Sequence, residues 1–191
     1  MAQKQASILD AEQLEAALGY ASNLPHPERE RLKLLLSFKQ GMRAQEIAYI
    51  RVRDVLESDG RSIGPKLFVS STAAKGGHHR YITTHPDTRD ALLAYLKVRP
   101  QIEGSLIRND RGTGYSPNGM VQWFHRFFER IGIHGASSHS GRRSFITRLY
   151  RANVPGFGLR DIQLEVGHAY LSSTQEYIVA SETRDRLLAV L

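Results

Sequence analysis

Apolar side chains follow two rhythms along this chain. Leu14 and Leu18 stand four apart behind Asp10-Ala11-Glu12-Gln13, where Asp10 caps a helix start and Gln13 reaches back. Pro25-His26-Pro27 interrupts the pattern, and Pro27 takes the first turn of a second helix over 28–40, with Leu32, Leu35, Leu36 and Phe38 inward. Gly41 ends that helix as a left-handed cap. Arg43 therefore lies at a helix-to-helix corner, and a short helix follows through Ile47 and Ile50. The period then changes to two. Residues 52–56 alternate, Asp59-Gly60 marks a turn, 66–71 is rich in β-formers, and 80–84 returns after a turn at 74–77. Helical spacing resumes over 86–98, with Leu92, Leu93 and Leu96 inward, and 100–114 is a looped segment. Ser116-Pro117 opens a helix whose apolar stripe is Met120, Val121, Phe124, Phe127, Phe128 and Ile131. That stripe reads as core, with Trp123 and His125 off it. A basic amphipathic helix over 139–153 places Phe145, Ile146 and Leu149 on one side and Arg142, Arg143, Arg148 and Arg151 elsewhere. A connector at 155–158 leads to a short helix over 159–166 and then to Gly167-His168. The expected class is α+β, mainly α-helical, with a small antiparallel sheet of about three strands.

Composition narrows the partners. Of the 191 residues 41% are hydrophobic, enough for the core of one domain. Lysine and arginine total 26 against 19 acidic residues, a formal charge of +7, which makes nucleic acid the first expected partner. The chain has no cysteine, which excludes a disulfide framework and a thiolate metal site and fits a reducing cytosol. No apolar run approaches the ~18 residues of a membrane span, and the first residues lack an apolar signal core. The expectation is a cytoplasmic protein without a membrane partner. His78, His79 and His85 have no carboxylate or cysteine at ligand spacing, so neither a metal nor a cofactor is expected.

The chemistry concentrates in 139–177. His139 and Arg142 stand three apart, so on a helix they share one face. His168 follows at the end of a short apolar helix, and Tyr177 comes one small polar loop later. An arginine, two imidazoles and a phenol suit an anion attacked by the phenol oxygen. Arginine presents a planar fork of donors that fits phosphate oxygens, and histidine adds a donor or a proton relay near neutral pH.

His139-Ser140-Gly141-Arg142, then Gly167-His168, then Ser173-Thr174-Gln175-Glu176-Tyr177 resembles the carboxy-terminal signature of the tyrosine recombinases, the phage integrase family. Upstream, Gly41-Met42-Arg43-Ala44-Gln45-Glu46-Ile47 looks like the family's first-arginine box. Lys75-Gly76-Gly77-His78-His79-Arg80-Tyr81-Ile82 looks like its β-hairpin with a catalytic lysine. Judged alone, Arg43 reads as a surface charge beside a cap, and a hairpin-tip lysine as a solvated one. The resemblance implies the fold of the DNA breaking-rejoining enzymes and a site-specific recombinase or integrase that works through a 3′-phosphotyrosine intermediate without metal or ATP.

The resemblance assigns catalytic roles to Arg43, Lys75, His139, Arg142, His168 and the nucleophile Tyr177. Arg80, Arg143, His78 and His79 are the candidate DNA contacts. It implies a single catalytic domain over 1–191, with a short tail at 1–9; the family's usual core-binding domain has no counterpart here, which fits either a catalytic-domain-only member similar to the fimbrial-switch invertases or, equally, an excised domain. Its expected partner is double-stranded DNA, bound as a homo-tetramer in a synapse and as a monomer when free. The apolar tail at 181–191 either folds back on its own domain or docks on a neighbouring protomer. Gly141 replaces an apolar residue often found before the second arginine and is expected to loosen the helix start by roughly 0.5–1 kcal/mol. Rival readings are a type IB topoisomerase, a non-catalytic DNA-binding regulator on the same fold, and a metal nuclease, which the lack of clustered carboxylates disfavours.

Overall fold

The computed structural model describes residues 6–73, 79–99 and 103–175. The order is α1 (Ala11–Ala21), α2 (Pro27–Phe38), α3 (Ala44–Tyr49), a 3-10 turn (Val52–Asp54), β1 (Lys66–Val69), β2 (Arg80–Thr83), α4 (Pro86–Val98), α5 (Pro117–Arg130), α6 (Ser140–Arg151) and α7 (Leu159–Val166). Lys75, His78, Tyr177 and the tail at 181–191 lie outside the described residues.

Helix starts follow the expected local chemistry. Asp10 accepts from the Gln13 N–H at 2.8 Å while Gln13 accepts from the Asp10 N–H at 3.1 Å, a reciprocal cap. Ser116 accepts from the Gly119 N–H at 3.0 Å, with Pro117 at the first helical position.

The centre of the molecule is α2, which touches α1, α3, α4 and α6. Leu32, Leu34, Leu35, Leu36 and Phe38 are buried together with Lys33 and Ser37. A helix covered on every side is a central helix rather than an amphipathic surface one. α5 packs on α3, and α7 packs on α6 and β2. A satellite cluster of Ile146, Ile162 and Val166, with Phe145, Leu149 and Tyr150 against it, joins α6 to α7.

Four expectations are corrected. The sheet has two strands among the described residues, with Leu67↔Ile82 and Phe68↔Tyr81 paired antiparallel. Residues 52–54 form a 3-10 turn instead of a strand. The Arg51 N–H is captured by Asp54 Oδ2 at 2.8 Å, and the Val52 N–H by the Gly104 carbonyl at 3.1 Å, so no ladder can propagate. Leu93 and Val121 face outward, 41% and 38% exposed. Trp123 packs on the core, its ring centroid 5.0 Å from that of Phe127, because the buried Lys33 ammonium sits 3.7 Å over it. Gly141 also has a packing role. It lets α6 approach α2 at Ser37 and Phe38, where a Cβ would lie 2.7 Å from Ser37 Cβ and 2.9 Å from Phe38 Cδ2.

No helix among the described residues is long and apolar enough to cross a membrane.

Candidate active site

The corner after α2 begins the site. Gly41 has φ +61°, and a Cβ there would come within 2.9 Å of Phe145 Cε1, so glycine alone makes this turn. The turn presents the Gly41 carbonyl to α6, where Arg142 Nη1 donates to it at 2.6 Å. Arg142 Nη2 donates to the Val166 carbonyl, at the end of α7, at 2.5 Å. Arg142 is thereby buried between two stretches of main chain.

The α7 terminus holds a second arginine. Arg80 Nε donates to the Glu165 carbonyl at 3.3 Å. These last carbonyls of α7 carry the negative end of the helix dipole, which suits cations. Gly167 follows with φ +63°, and a Cβ there would meet Arg80 Cδ at 2.8 Å. Glycine at this position closes α7 and also lets Arg80 pass.

Both arginines face Glu46. This carboxylate is fully buried in α3. Arg80 grips it with a fork, Nη1 to Oε1 at 2.8 Å and Nη2 to Oε2 at 2.9 Å. Arg43 Nη1 reaches Oε1 at 3.0 Å, and the Arg43 N–H donates to Oε2 at 2.8 Å. Burial pushes the Glu46 carboxyl up, but the Arg80 fork and the charges of Arg80, Arg142 and Arg43 outweigh it, holding it below the usual carboxylate range. Glu46 is therefore ionised at neutral pH and sets the position of the guanidiniums around it.

His168 completes the group. Its N–H donates to the Gln163 carbonyl at 3.1 Å, and Gln163 Nε2 donates to the His168 carbonyl at 2.9 Å. Its Nδ1 lies 2.8 Å from the hydroxyl of the fully buried Thr174. Burial, then the charges of Arg142, Arg43 and Arg80, push the imidazole pKa down to about 3, with Glu46 opposing. At physiological pH His168 is a neutral hydrogen-bonding group in this environment. The tautomer in which Nδ1 accepts from Thr174 leaves Nε2–H as a donor.

Of the residues singled out from the sequence, Arg43, Arg80, Arg142 and His168 are thus brought together. His139 is exposed at the amino-terminal cap of α6, one turn before Arg142, its N–H donating to Ser137 Oγ at 3.2 Å. Arg143 lies elsewhere. It is 8% exposed, and its Nη1 donates to the Ala6 carbonyl at 2.9 Å, tying the segment before α1 onto α6. Arg148 does the same at the Leu9 and Asp10 carbonyls, both at 3.3 Å. His79 is exposed on the hairpin, its ring 5.8 Å from that of Phe68. Glu46, Gln163 and Thr174 were not singled out. The signal for Glu46 was present: a glutamate three residues after a helix cap reaches back to the cap N–H.

The profile of the phage integrase family matches residues 7–184. The chain is 28% identical over 172 residues to tyrosine recombinase XerA of Pyrococcus horikoshii, covering 88% of this chain and 55% of that protein. It is 27% identical over 189 residues to tyrosine recombinase XerD of Ralstonia nicotianae, covering 95% of this chain and 56% of that one. The chain thus spans about half the length of these relatives. The fold superposes on a crystal structure of XerA recombinase with a TM-score of 0.72 and 21% identity, over 93% of this chain and 61% of the other. A lambda integrase (75-356) dimer bound to a COC' core site gives a TM-score of 0.69 at 19% identity, over 93% and 60%. The profile match takes in α1 to α7, the arginine cluster and the residues that follow it, and the chain belongs to the phage integrase family.

Proposed function

We propose that residues 1–191 form the catalytic domain of a tyrosine-type site-specific recombinase, which cleaves and rejoins duplex DNA through a 3′-phosphotyrosine. The observation that carries this reading is the convergence of Arg43, Arg80 and Arg142 on Glu46 beside a neutral His168. Preorganised cations in a buried site stabilise the extra charge of a pentacoordinate phosphorane-like transition state, a role often filled by metal ions. In this reading Arg43 and Arg142 clamp the non-bridging oxygens of the scissile phosphate, and His168 donates to one of them. The Tyr177 phenol, with an ordinary pKa of about 10, loses its proton to His139 under the influence of the nearby cations. Its oxygen forms the bond to phosphorus as the bond from phosphorus to the 5′ oxygen breaks, and Lys75 delivers the proton to that leaving oxygen. The phosphotyrosine stores the bond energy. A 5′ hydroxyl from another strand reverses the step, so neither ATP nor a metal is required.

His78 and His79 contact the DNA flanking this site. The chain acts in the cytoplasm, is monomeric when free and pairs two DNA sites as a tetramer, with the 181–191 tail coupling protomers.

The test is a nicked suicide duplex that traps the covalent complex in the presence of EDTA, with the linked residue mapped by mass spectrometry. Linkage is expected at Tyr177 and absent in Tyr177→Phe, which still binds duplex. Exchange of strands between two duplexes, beyond relaxation of supercoils, separates a recombinase from a topoisomerase. A covalent adduct that persists in Tyr177→Phe would refute the assignment.

A further inference from the structure

The two faces of the hairpin strands differ. In β2, Arg80 and Ile82 turn inward, Arg80 to Glu46 and Ile82 to the core, while Tyr81 between them is 60% exposed. In β1, Leu67 and Val69 are buried and Phe68 faces out opposite Tyr81. The Phe68 and Tyr81 rings lie 5.2 Å apart at 47°, and the His79 ring is 5.8 Å from Phe68. Tyr49, at the end of α3, adds a further ring that is 43% exposed.

The Phe68, Tyr81 and Tyr49 rings belong to one trough of about 1070 Å³ that also holds Arg51, Arg53 and Lys66, and none of Arg43, Arg80, Arg142 and His168 lines it. The volume lies at the top of the ~300–1,000 Å³ range of small-molecule pockets, and the trough is open to solvent along its length. An open trough of that size suits an elongated ligand. The charge suits an anionic one. Arg51, Arg53 and Lys66 are exposed, whereas of the two carboxylates there, Asp54 is turned inward, its side chain 7% exposed and Oδ2 accepting from the Arg51 N–H at 2.8 Å. Glu57 is the other.

Exposed aromatic rings interleaved with cations suit a nucleic acid whose bases show their faces. A closed duplex buries those faces in its own stack and would engage only the cations. We propose that this outer face of the hairpin is a second DNA site, one that takes an unpaired strand. Its bases stack on Tyr81, Phe68 and Tyr49, and its phosphates meet Arg51, Arg53 and Lys66. The same two strands then serve both sides: Arg80 steadies the cleavage cluster from within, and Tyr81 receives a melted strand from without. The proposal extends the recombinase reading but is measured without cleavage.

The experiment is fluorescence anisotropy of the full chain with a short labelled oligothymidylate and with a blunt duplex of the same length. Tyr81→Ala is expected to weaken oligothymidylate binding by about 5- to 150-fold, the equivalent of ~1–3 kcal/mol for one base stacked on a ring. Tyr81→Phe retains the ring and binds like the parent. Arg51→Ala with Arg53→Ala weakens the oligothymidylate and flattens its salt dependence. Duplex affinity stays within about twofold in Tyr81→Ala, since a duplex offers no free base face to stack on. A parent chain that does not bind oligothymidylate, or a Tyr81→Ala that binds it unchanged, overturns the proposal. So does equal loss for strand and duplex, which makes the trough a simple basic patch. A change in sedimentation with strand binding intact makes it a protein interface and also overturns it. Because covalent trapping at Tyr177 is scored separately, either reading can fail while the other stands.

Discussion

Replacing Gly141 with alanine sets two effects of opposite sign against each other. Inside a helix, alanine is favoured over glycine by roughly 0.5–1 kcal/mol, so local propensity predicts a more stable α6. The packing predicts the reverse. The new Cβ would overlap Ser37 Oγ and lie 2.7 Å from Ser37 Cβ and 2.9 Å from Phe38 Cδ2. The Ser37 hydroxyl can rotate away, since it is buried without a hydrogen-bond partner. Its Cβ and the Phe38 ring, both on the central helix, cannot. Overpacking of this kind costs about 1–3 kcal/mol, so the net expectation is a loss of about 1–2 kcal/mol. Urea denaturation should show a lower midpoint with an unchanged slope, and melting should fall by about 2–8 °C for a domain of this size. Arg142 is the next residue, so the yield of covalent complex should fall further than the loss of folded protein accounts for. In a double-mutant cycle, Ser37→Gly should recover part of the Gly141→Ala loss. A Gly141→Ala chain more stable than the parent, or no coupling to Ser37→Gly, would refute the reasoning.

Further expectations follow from buried charges. Glu46→Gln preserves shape but leaves Arg43, Arg80 and Arg142 around a neutral amide; the loss should be about 3–5 kcal/mol by denaturation, and one below ~1 kcal/mol would contradict the assigned role. His168 is neutral in the fold with a pKa near 3 but has an ordinary value of 6.5 when unfolded. Its contribution is therefore intact above pH 6.5 and lost as pH falls below it, by at most about 1.4 kcal/mol per unit. His168→Gln should flatten that slope, while the Glu46 contribution is lost only further down, below its ordinary 4.5. Lys33 acts with the same sign in a higher pH window: burial, partly offset by Glu30, brings its pKa from 10.5 to about 7. Stability should therefore rise with pH between those values. Lys33→Met should abolish the rise and cost little at pH 6, because Glu30 keeps its 2.7 Å pair with Arg29.

The parts of the fold legible in the sequence are those that local chemistry decides. α4 runs from Pro86 to Val98 as expected, because proline starts it and the residue before Pro100 leaves the helical region. α7 ends at Gly167 because a left-handed residue is needed there. What escaped was decided by distant partners. Glu30 stands one turn before Lys33, but nothing near it in the chain announces that Tyr115 and Trp123 will enclose it. Residues 52–56 alternate like a strand, but the Val52 N–H is taken by the Gly104 carbonyl, and those of Asp54 and Val55 by the Arg51 and Val52 carbonyls within the 3-10 turn. Arg143 and Arg142 are adjacent and equally basic, yet one faces the Gly41 corner and the other Ala6. The motif found Arg43, Arg142 and His168, but it did not mark Glu46, the carboxylate that Arg80 and Arg43 share.

Arg142 takes its bearings from two carbonyls, those of Gly41 and Val166. Every amino acid supplies a carbonyl, so no exchange of the side chain at 166 deletes that acceptor. Only a change that shifts the main chain can disturb it. The side chain of Val166 answers instead to Ile146 and Ile162 in the satellite cluster. Sequence drift there is filtered by volume and not by chemistry, which leaves one of the cluster's cations insulated from mutation at its own support. Position 41 is the exception, since its carbonyl is aimed by a backbone angle that only glycine adopts without strain.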